Sequence, residues 1–330
     1  MASRVTIEDI AAAAGVSRQT VTRAMNGMPR ISEETRGRII KLAEELGYRP
    51  SRFASNLART TKAKVIGLVV DSFRNPYYSE LVADLLDSAT TRGWQVSVYS
   101  HENQNELDLV GRLAREVDAI VGYLGEQDED RLLAASRGVP LVLLGRTAIA
   151  EDIYSVDFDF VEGFRSLVTA LRSRGSSRFG LLESHMIADT YVPSSRRLAY
   201  EAVIDTASKE AIVVCDAEAQ SVDAGERGVR ELLTRFPETD TVIAFSDLMA
   251  MGALRGAASA DRAVPATLKI VGIDGLSLGA VTSPALTSLA ISGVTFAERV
   301  AEVVDRALVN APGSRDHIAV PPSVIWRESA

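Results

Sequence analysis

The sequence is poor in the residues that metal and redox sites require. It contains one cysteine, Cys215, and three histidines, which do not occur in a ligand-like spacing such as HxxxH. A single cysteine makes no internal disulfide, and Cys215 lies in the apolar run AIVVCD, which is typical of a core position. We therefore expect no metal site, no cofactor and no redox centre.

Long hydrophobic segments are also missing. No stretch of about 18 uncharged apolar residues occurs, and the N-terminal residues MASRVTIEDIAAAAGVS lack the apolar region of a signal peptide. The sequence thus predicts neither membrane insertion nor export, and a cytoplasmic protein is expected. With 330 residues, 46% of them hydrophobic, the chain is long enough for two or three domains.

Positive charge is scarce overall but concentrated at one end of the chain. The net charge is −8, yet residues 1–64 hold 12 Lys and Arg against 6 Asp and Glu. That segment has a net charge of +6, whereas residues 65–330 carry −14. A basic segment on an acidic body predicts that the N-terminal part alone binds a polyanion.

Three short helices are predicted within the basic segment. Thr6 and Asp9 form a capping-box pattern before the first helix, and Gly15 ends it. A second helix follows Ser17, and a third begins at Ser32 with acidic residues in its first turn. We expect these helices to form one small domain.

From residue 65 onward, short apolar runs alternate with helical stretches. Near-continuous apolar strands separated by helices predict parallel sheets covered on both faces. The number of strands and a break near 159–163 favour two α/β subdomains, with a ligand cleft between them. The ten predicted strands are 65–70, 95–100, 119–124, 140–145, 155–159, 178–184, 211–216, 241–246, 268–274 and 286–292.

The second predicted helix carries side chains that suit the edges of DNA bases. In a helix-turn-helix, Arg18, Gln19 and Thr20 would lie in the exposed first turn of the recognition helix, with Arg23 on the same face. Arginine binds guanine and glutamine binds adenine through paired hydrogen bonds. The alternative is an ordinary solvated helix face, and the local charge favours DNA binding.

Two N-terminal segments resemble a known DNA-binding module almost residue for residue. TIEDIAAAAGVSRQTVTRAMNG and ISEETRGRIIKLAEELGYRPSRFASNLA are similar to that module in the LacI/GalR family of bacterial transcription regulators. RNPYYSELV, SDLMAMGALRGA and IVGIDGLSLGAVTSPALTSL extend the resemblance along the chain. It implies a repressor with a three-helix helix-turn-helix domain at 1–50, a hinge helix and linker at 51–64, and an effector-binding and dimerisation domain at 65–330. The two periplasmic-binding-protein-like α/β lobes of that domain are expected at roughly 65–160 with 293–320 and at 161–292 with 321–330.

The resemblance also implies which residues contact DNA. A homodimer would bind a pseudo-palindromic double-stranded operator, with Leu57 of each hinge wedged into the minor groove at its centre. The predicted contacts in the recognition helix are Ser17 and Thr20 to phosphates, Arg18 and Gln19 to variable bases, and Arg23 in the groove.

The effector is expected between the lobes, and the family's usual effector class is sugars. Arg196 is the predicted ligand-binding arginine and Arg197 is the alternative. The chain departs from the family where Gly275 replaces an acidic residue, and the segment CDAEAQS lacks the usual stacking aromatic. The predicted effector-binding residues are Phe73, Asn75, Phe160, Arg196, Ser246 and Asp274.

Two other functions fit parts of the sequence. Residues 275–279, GLSLG, match the GxSxG nucleophile elbow of serine hydrolases, with Ser277 as nucleophile and Asp305 and His317 downstream. A binding protein for small-molecule transport would share the two lobes. The basic N-terminal domain and the missing signal peptide argue against transport.

Overall fold

The computed structural model describes most of the chain, and the chain divides into two compact units, Met1–Ala63 and Lys64–Ala330. The predicted hinge helix and Leu57 lie outside the described residues. The described residues are 6–25, 31–46, 63–102, 104–125, 127–184, 191–204, 211–215, 220–291, 293–309 and 317–330.

The described part of the first unit contains three helices, α1 (Ile7–Ala14), α2 (Arg18–Met25) and α3 (Glu33–Glu45). The predicted capping box is confirmed, because the Thr6 amide donates to Asp9 Oδ2 (2.7 Å) and the Asp9 amide donates to Thr6 Oγ1 (3.3 Å). Gly15 ends α1 with a φ of +66°, which glycine adopts without strain. The helices enclose a small core of Ile10, Ala11, Val21, Ala24, Ile39 and Ala43.

The second unit contains two six-stranded sheets, each the centre of one lobe. The first sheet has the strand order β11-β5-β4-β3-β1-β2 and is parallel throughout. The second has the order β12-β10-β9-β8-β6-β7, in which β12 alone runs antiparallel to its neighbour. The strands are β1 Val65–Val70, β2 Gln95–Ser100, β3 Ala119–Gly122, β4 Leu141–Leu144, β5 Tyr154–Phe158, β6 Phe179–Ser184, β7 Ile212–Cys215, β8 Thr241–Ala244, β9 Lys269–Asp274, β10 Thr287–Ala290, β11 His317–Val320 and β12 Ser323–Ile325.

Helices cover both sheets, and the described chain passes between the lobes after β5, after β10 and after β11. The helix after β5 packs on β12 of the second sheet, whereas the helix after β10 packs against β3, β4 and β5 of the first. Among the described helices, none combines the length and the apolar character needed to cross a membrane. The helices of this unit are α4 Pro76–Thr91, α5 Glu106–Leu113, α6 Glu129–Ser136, α7 Phe160–Ser173, α8 Ser195–Val203, α9 Val222–Arg235, α10 Asp247–Ser259 and α11 Val294–Leu308, with a 3₁₀ helix at Ser277–Val281.

Each sheet gains one strand that the sequence patterns do not predict. β11 pairs with β5, with His317 beside Ser155, and β12 pairs with β10, with Val324 beside Leu289. Both are edge strands of three or four residues. The last described residues are therefore divided between the two lobes.

Candidate functional site

A cavity of about 300 Å³ lies between the lobes, where the carboxyl ends of strands from both sheets face each other. Tyr123 follows β3, Gly145 follows β4 and Phe245 follows β8, while Asp274 is the last residue of β9. We call this space the interlobe cavity. It is lined by Asn75, Tyr77, Tyr78, Tyr123, Gly145, Val192, Pro193, Ser194, Ser195, Arg196, Gln220, Phe245 and Asp274.

Three tyrosines form the wall that the first lobe contributes. The rings of Tyr77, Tyr78 and Tyr123 contact one another edge to face, with centroids 5.1 to 6.3 Å apart. The hydroxyls of Tyr77 and Tyr123 are 2.5 Å apart, and the Tyr78 hydroxyl donates to Asp71 Oδ2 (3.2 Å). Burial raises the pKa of all three phenols above its ordinary value, so the wall presents neutral hydroxyls that donate and accept.

Asn75 connects this wall to the second lobe. It caps α4, because its Oδ1 accepts from the Tyr77 amide (3.0 Å), and Pro76 occupies the first helical position. Its Nδ2 donates to Gln220 Oε1 of the second lobe (3.1 Å), and its side chain is also a hydrogen-bond partner of Asp274. The N-terminus of α4 therefore lies at the boundary between the lobes.

The second lobe contributes an arginine and a carboxylate. The Arg196 guanidinium lies 4.2 Å from the ring centroid of Phe245 and 5.0 Å from that of Phe160. Its Nη2 is 4.0 Å from Asp274 Oδ1, and its buried Nε has no hydrogen-bond partner among the described residues. Arg197 instead donates from Nε to Glu201 Oε1 (2.7 Å). The structure thus places Arg196, and not Arg197, at the interlobe cavity.

A second carboxylate, Asp247, lies fully buried behind Asp274. Its Oδ2 accepts from the amides of Gly275 (3.0 Å) and Leu276 (2.7 Å), and its Oδ1 accepts from Ser288 Oγ (2.5 Å). Burial raises the pKa of Asp247 to about 6, although these hydrogen bonds lower it. Burial and then the charge of Asp247 raise the pKa of Asp274 well above its ordinary value, and Arg196 opposes the shift. Asp247 uses its oxygens within the lobe, whereas Asp274 faces the cavity.

The structure brings three of the six predicted effector residues to the cavity, namely Asn75, Arg196 and Asp274. Phe160, Phe73 and Ser246 are not among its described lining residues. Phe160 is buried beneath Arg196, and Phe73 is 52% exposed.

Ser246 is fully buried and caps α10 by accepting from the Met249 amide (3.3 Å), so its hydroxyl is used inside the lobe. Sequence reasoning missed the tyrosine wall, Gln220 and Phe245. A signal existed in the pair of tyrosines immediately after Asn75-Pro76.

In the first unit, the described residues that are predicted to contact DNA lie at the start of α2, with Arg23 one turn beyond Gln19. Val21 and Ala24 are buried, while Arg18 and Gln19 are exposed and Thr20 and Arg23 are half-buried. Ser17 caps α2, because its Oγ accepts from the Thr20 amide (3.2 Å). Arg18 Nη1 lies 3.5 Å from Glu8 Oε1, an exposed pair that solvent screens and that DNA can replace.

The GxSxG segment does not form a catalytic triad. The Ser277 hydroxyl donates to Glu80 Oε1 (2.6 Å), and His317 Nδ1 instead pairs with Ser155 Oγ (2.8 Å) in the first sheet. Asp305 is bonded to Arg92 Nε (3.0 Å). The three residues have three different partners, so His317 and Asp305 do not form a triad with Ser277.

Gly145 allows a first test of the cavity wall. Its φ is +72°, and a Cβ there would lie 2.8 Å from Tyr123 Cε1. We expect Gly145→Ala to displace Tyr123 and to weaken effector binding roughly 10-fold, in addition to a strain of about 1 kcal/mol. Calorimetric titration measures the affinity. Gly138→Ala is the matched control, because its φ is +83° but its Cβ would meet nothing within 4 Å in the described structure. An equal loss in both variants would contradict the role of Tyr123.

The buried carboxylates predict how stability depends on pH. Because the folded-state pKa of Asp247 is raised from 3.8 to about 6, the folded state holds this proton more tightly than the unfolded state. The contribution of this proton to the free energy of unfolding is on the order of 3 kcal/mol. It is fully present below pH 4 and is lost as pH rises through about 6.

Asp247→Asn removes this titration while keeping groups that can bond to Gly275 and Ser288. Both tryptophans, Trp94 and Trp326, lie in the second unit, so their fluorescence during urea unfolding reports that unit. We expect the difference in free energy of unfolding, unmodified chain minus Asp247→Asn, to decrease between pH 4 and pH 7. A constant difference would contradict the assignment.

Comparisons with known proteins agree with both units. Residues 6–51 match the family model of bacterial regulatory proteins of the lacI family, and residues 168–330 match the periplasmic binding protein-like domain. Catabolite control protein A of Priestia megaterium is 30% identical over 294 residues, which cover 86% of this chain and 87% of that protein.

Two solved structures are similar over most of the chain. A LacI family transcriptional regulator from Arthrobacter sp. FB24, in complex with lactose, is 28% identical, with a TM-score of 0.71 over 81% of this chain and 99% of that one. The transcriptional regulator CelR in complex with cellobiose is 27% identical, with a TM-score of 0.66 over 99% of this chain and 100% of that one.

These similarities confirm the predicted helix-turn-helix unit and the two-lobed α/β unit. They do not support the alternatives of a serine hydrolase or a transport binding protein. The chain belongs to the LacI family of bacterial regulatory proteins, and it is a DNA-binding transcriptional regulator with an effector-binding body.

Proposed function

We propose that the effector of this regulator is a sugar, bound in the interlobe cavity, and that it controls affinity for the operator. One observation carries the proposal. The Arg196 guanidinium has a buried Nε without a hydrogen-bond partner among the described residues, and its Nη2 lies 4.0 Å from Asp274 Oδ1 in the lining of the cavity.

The chemistry of the lining selects molecules with many hydroxyl groups. Arg196 only donates and the carboxyl oxygens of Asp274 accept, whereas the neutral phenols of the wall donate and accept. A hydroxyl also does both, so vicinal hydroxyls can pair with Arg196 and Asp274 together.

The tyrosine wall supplies aromatic surface that the segment CDAEAQS does not. Gln220, the one described lining residue from that segment, offers an amide. Tyr77, Tyr78 and Tyr123 lie opposite it and can contact the apolar face of a sugar ring. The lactose and cellobiose complexes of two relatives support the same ligand class.

A thermal-shift screen of the full chain against sugars, nucleosides and polyols tests this proposal. The screen includes lactose and cellobiose. A ligand at about 100 times its Kd stabilises the folded state by about 2.7 kcal/mol, which corresponds to roughly 5–10 °C for a domain of this size. We expect at least one sugar to give such a shift in the unmodified chain and none in Arg196→Ala. Shifts with nucleosides alone would contradict the sugar class.

We further infer that the regulator binds a pseudo-palindromic operator as a homodimer, with Leu57 of each chain at its centre. The exposed face of α2, with Arg18 and Gln19, supports base reading in successive major grooves. A coupling of about 1–3 kcal/mol between effector and operator would change operator affinity about 5- to 150-fold. Sedimentation with and without operator DNA measures whether the chain is a dimer. The direction in which the effector changes operator affinity defines the effector as inducer or corepressor.

We also infer that the chain is not an enzyme and acts in the bacterial cytoplasm, where its operator would be. The separate partners of Ser277, Asp305 and His317 support the first inference. DNA binding supports the second. An esterase assay that gave activity lost in Ser277→Ala would overturn the first.

A further inference from the structure

The two lobes contact each other at a second point beside the interlobe cavity. The Ser277 amide donates to Glu80 Oε1 (3.1 Å), and the Ser277 hydroxyl donates to the same oxygen (2.6 Å). Glu80 lies on α4 of the first lobe, and Ser277 opens the 3₁₀ helix Ser277–Val281 of the second. We call this pair the Glu80–Ser277 contact.

The contact completes a helix end that the second lobe does not complete with its own side chains. Leu276 occupies the N-cap position of the 3₁₀ helix, and a leucine side chain cannot accept a hydrogen bond. Glu80 supplies the missing acceptor for the Ser277 amide. It is also an anion at a helix N-terminus, where negative charge is favourable. The first amide of this segment is therefore held by the other lobe.

Ser277 is rigidly connected to the cavity through a strip of four residues, 274–277. Asp274 lines the cavity, and Asp247 Oδ2 holds the next two amides, those of Gly275 and Leu276. The Leu276 side chain is fully buried. Movement of Ser277 is therefore transmitted to Asp274.

On the first lobe, Glu80 is likewise connected to the cavity, because α4 joins it to Asn75. Asn75 caps this 16-residue helix, and its side chain hydrogen-bonds to Asp274 of the strip and to Gln220 of the second lobe (3.1 Å). Helix α4 and the strip 274–277 thus touch at two points, one at the cavity and one outside it. Two contacts restrict rotation between two rigid elements to the axis that joins the contacts, whereas one contact leaves a pivot.

We propose that Glu80 and Ser277 are positioning residues that hold the lobes at the angle at which Asp274 faces the tyrosine wall. The proposal rests on the proposed function in so far as Asp274 and Asn75 contact the effector. Because Ser277 is exposed and Glu80 only half-buried, the contact can open and close as the lobes move. The GxSxG segment then serves lobe closure and not hydrolysis.

Spin labels on the two lobes test the proposal without any ligand. Ile149→Cys in the first lobe and Glu238→Cys in the second are exposed positions, and Cys215→Ala removes the natural thiol. Labelled chains are diluted with unlabelled chains so that electron-electron resonance measures distances within one chain. We expect one narrow distance distribution in the otherwise unmodified protein and a second population in Glu80→Ala.

The matched variants separate positioning from general damage. Asp87→Ala removes a carboxylate from the same helix without removing a hydrogen bond to the second lobe among the described residues, so it should keep the narrow distribution. Ser277→Thr keeps the hydroxyl and should also keep the narrow distance distribution. Ser277→Ala should add a smaller second population, with no further effect on top of Glu80→Ala. A narrow distribution in Glu80→Ala, or a second population in Asp87→Ala, would overturn the proposal.

Effector affinity gives a second readout, with a sugar from the thermal-shift screen as the probe. We expect Glu80→Ala to raise the Kd about 3- to 10-fold with an unchanged order of preference among sugars, because the cavity lining is intact. A changed order of preference would show that Glu80 contacts the ligand and would overturn the positioning role. If no sugar shifts the unmodified chain, the proposed ligand class fails, and the spin-label distances decide the contact alone.

Discussion

We expect Arg196→Ala to weaken effector binding by about 100-fold or more, because the variant loses the charged donors that face Asp274. Hydrogen bonds to charged groups are worth about 1.5–3 kcal/mol each, and at least two are lost with the guanidinium. Arg196→Lys should not restore binding. Its ammonium lacks the planar fork that lies against Phe245 and Phe160. Calorimetric titration of the full chain with a sugar from the screen measures the change.

Arg197→Ala is the matched control for Arg196. The two residues are adjacent on α8, but Arg197 is bonded to Glu201 and directed away from the cavity. We expect Arg197→Ala to change the Kd less than about 3-fold. Circular dichroism checks that both variants fold, since Arg196 is partly buried between aromatic rings. A larger loss in Arg197→Ala than in Arg196→Ala would refute the assignment of the cavity arginine.

The second large effect is expected at the DNA. Arg18→Ala should relax base preference at one position of each half-site and cost about 1–3 kcal/mol of operator affinity, which is about 5- to 150-fold. Arg18 is suited to this role because its side chain is 70% exposed and its ion pair with Glu8 is long at 3.5 Å. Selection from random DNA followed by titration of the selected site measures both changes.

Lys41→Ala provides the comparison, because Lys41 is an exposed cation on α3 and not on the recognition helix. It should lower affinity for all sequences alike, or leave it unchanged, and should keep the consensus. If Arg18→Ala returned the same consensus as the unmodified chain, Arg18 would not read a base. The salt dependence of binding by the two variants then shows which of the two cations contacts phosphate.

The order of strands and helices was predictable where burial leaves a strong pattern. All ten predicted strands occur. Eight of them are central in their sheets, where both faces of a parallel strand are covered and its sequence is almost continuously apolar, whereas β2 and β7 lie at edges. β11 and β12 escape this reasoning. They are short edge strands with alternating or partial exposure, and they flank Pro321-Pro322, which suggests a loop. Edge strands are specified by the strand beside them as much as by their own residues.

The cavity residues were predictable to a smaller extent. Strand ends identify the neighbourhood of a site, and Asp274 is found that way. They do not show which neighbouring polar group faces outward, because a serine before a helix serves equally as a cap, as Ser246 does. Tyr123 reaches the cavity from a strand far along the chain, and only the order of β1, β3 and β4 in the sheet brings it beside Tyr77. That information lies in the tertiary structure.

The late position of β11 and β12 sets an order of events during synthesis. Helices α1 to α3 are complete by residue 46, but neither sheet has its last strand until residues 317–325 have left the ribosome. About 270 residues separate these points, which at 5–20 residues per second is roughly 15–50 seconds. During that time the N-terminal unit can fold on a nascent chain whose effector-binding unit still lacks one strand in each sheet.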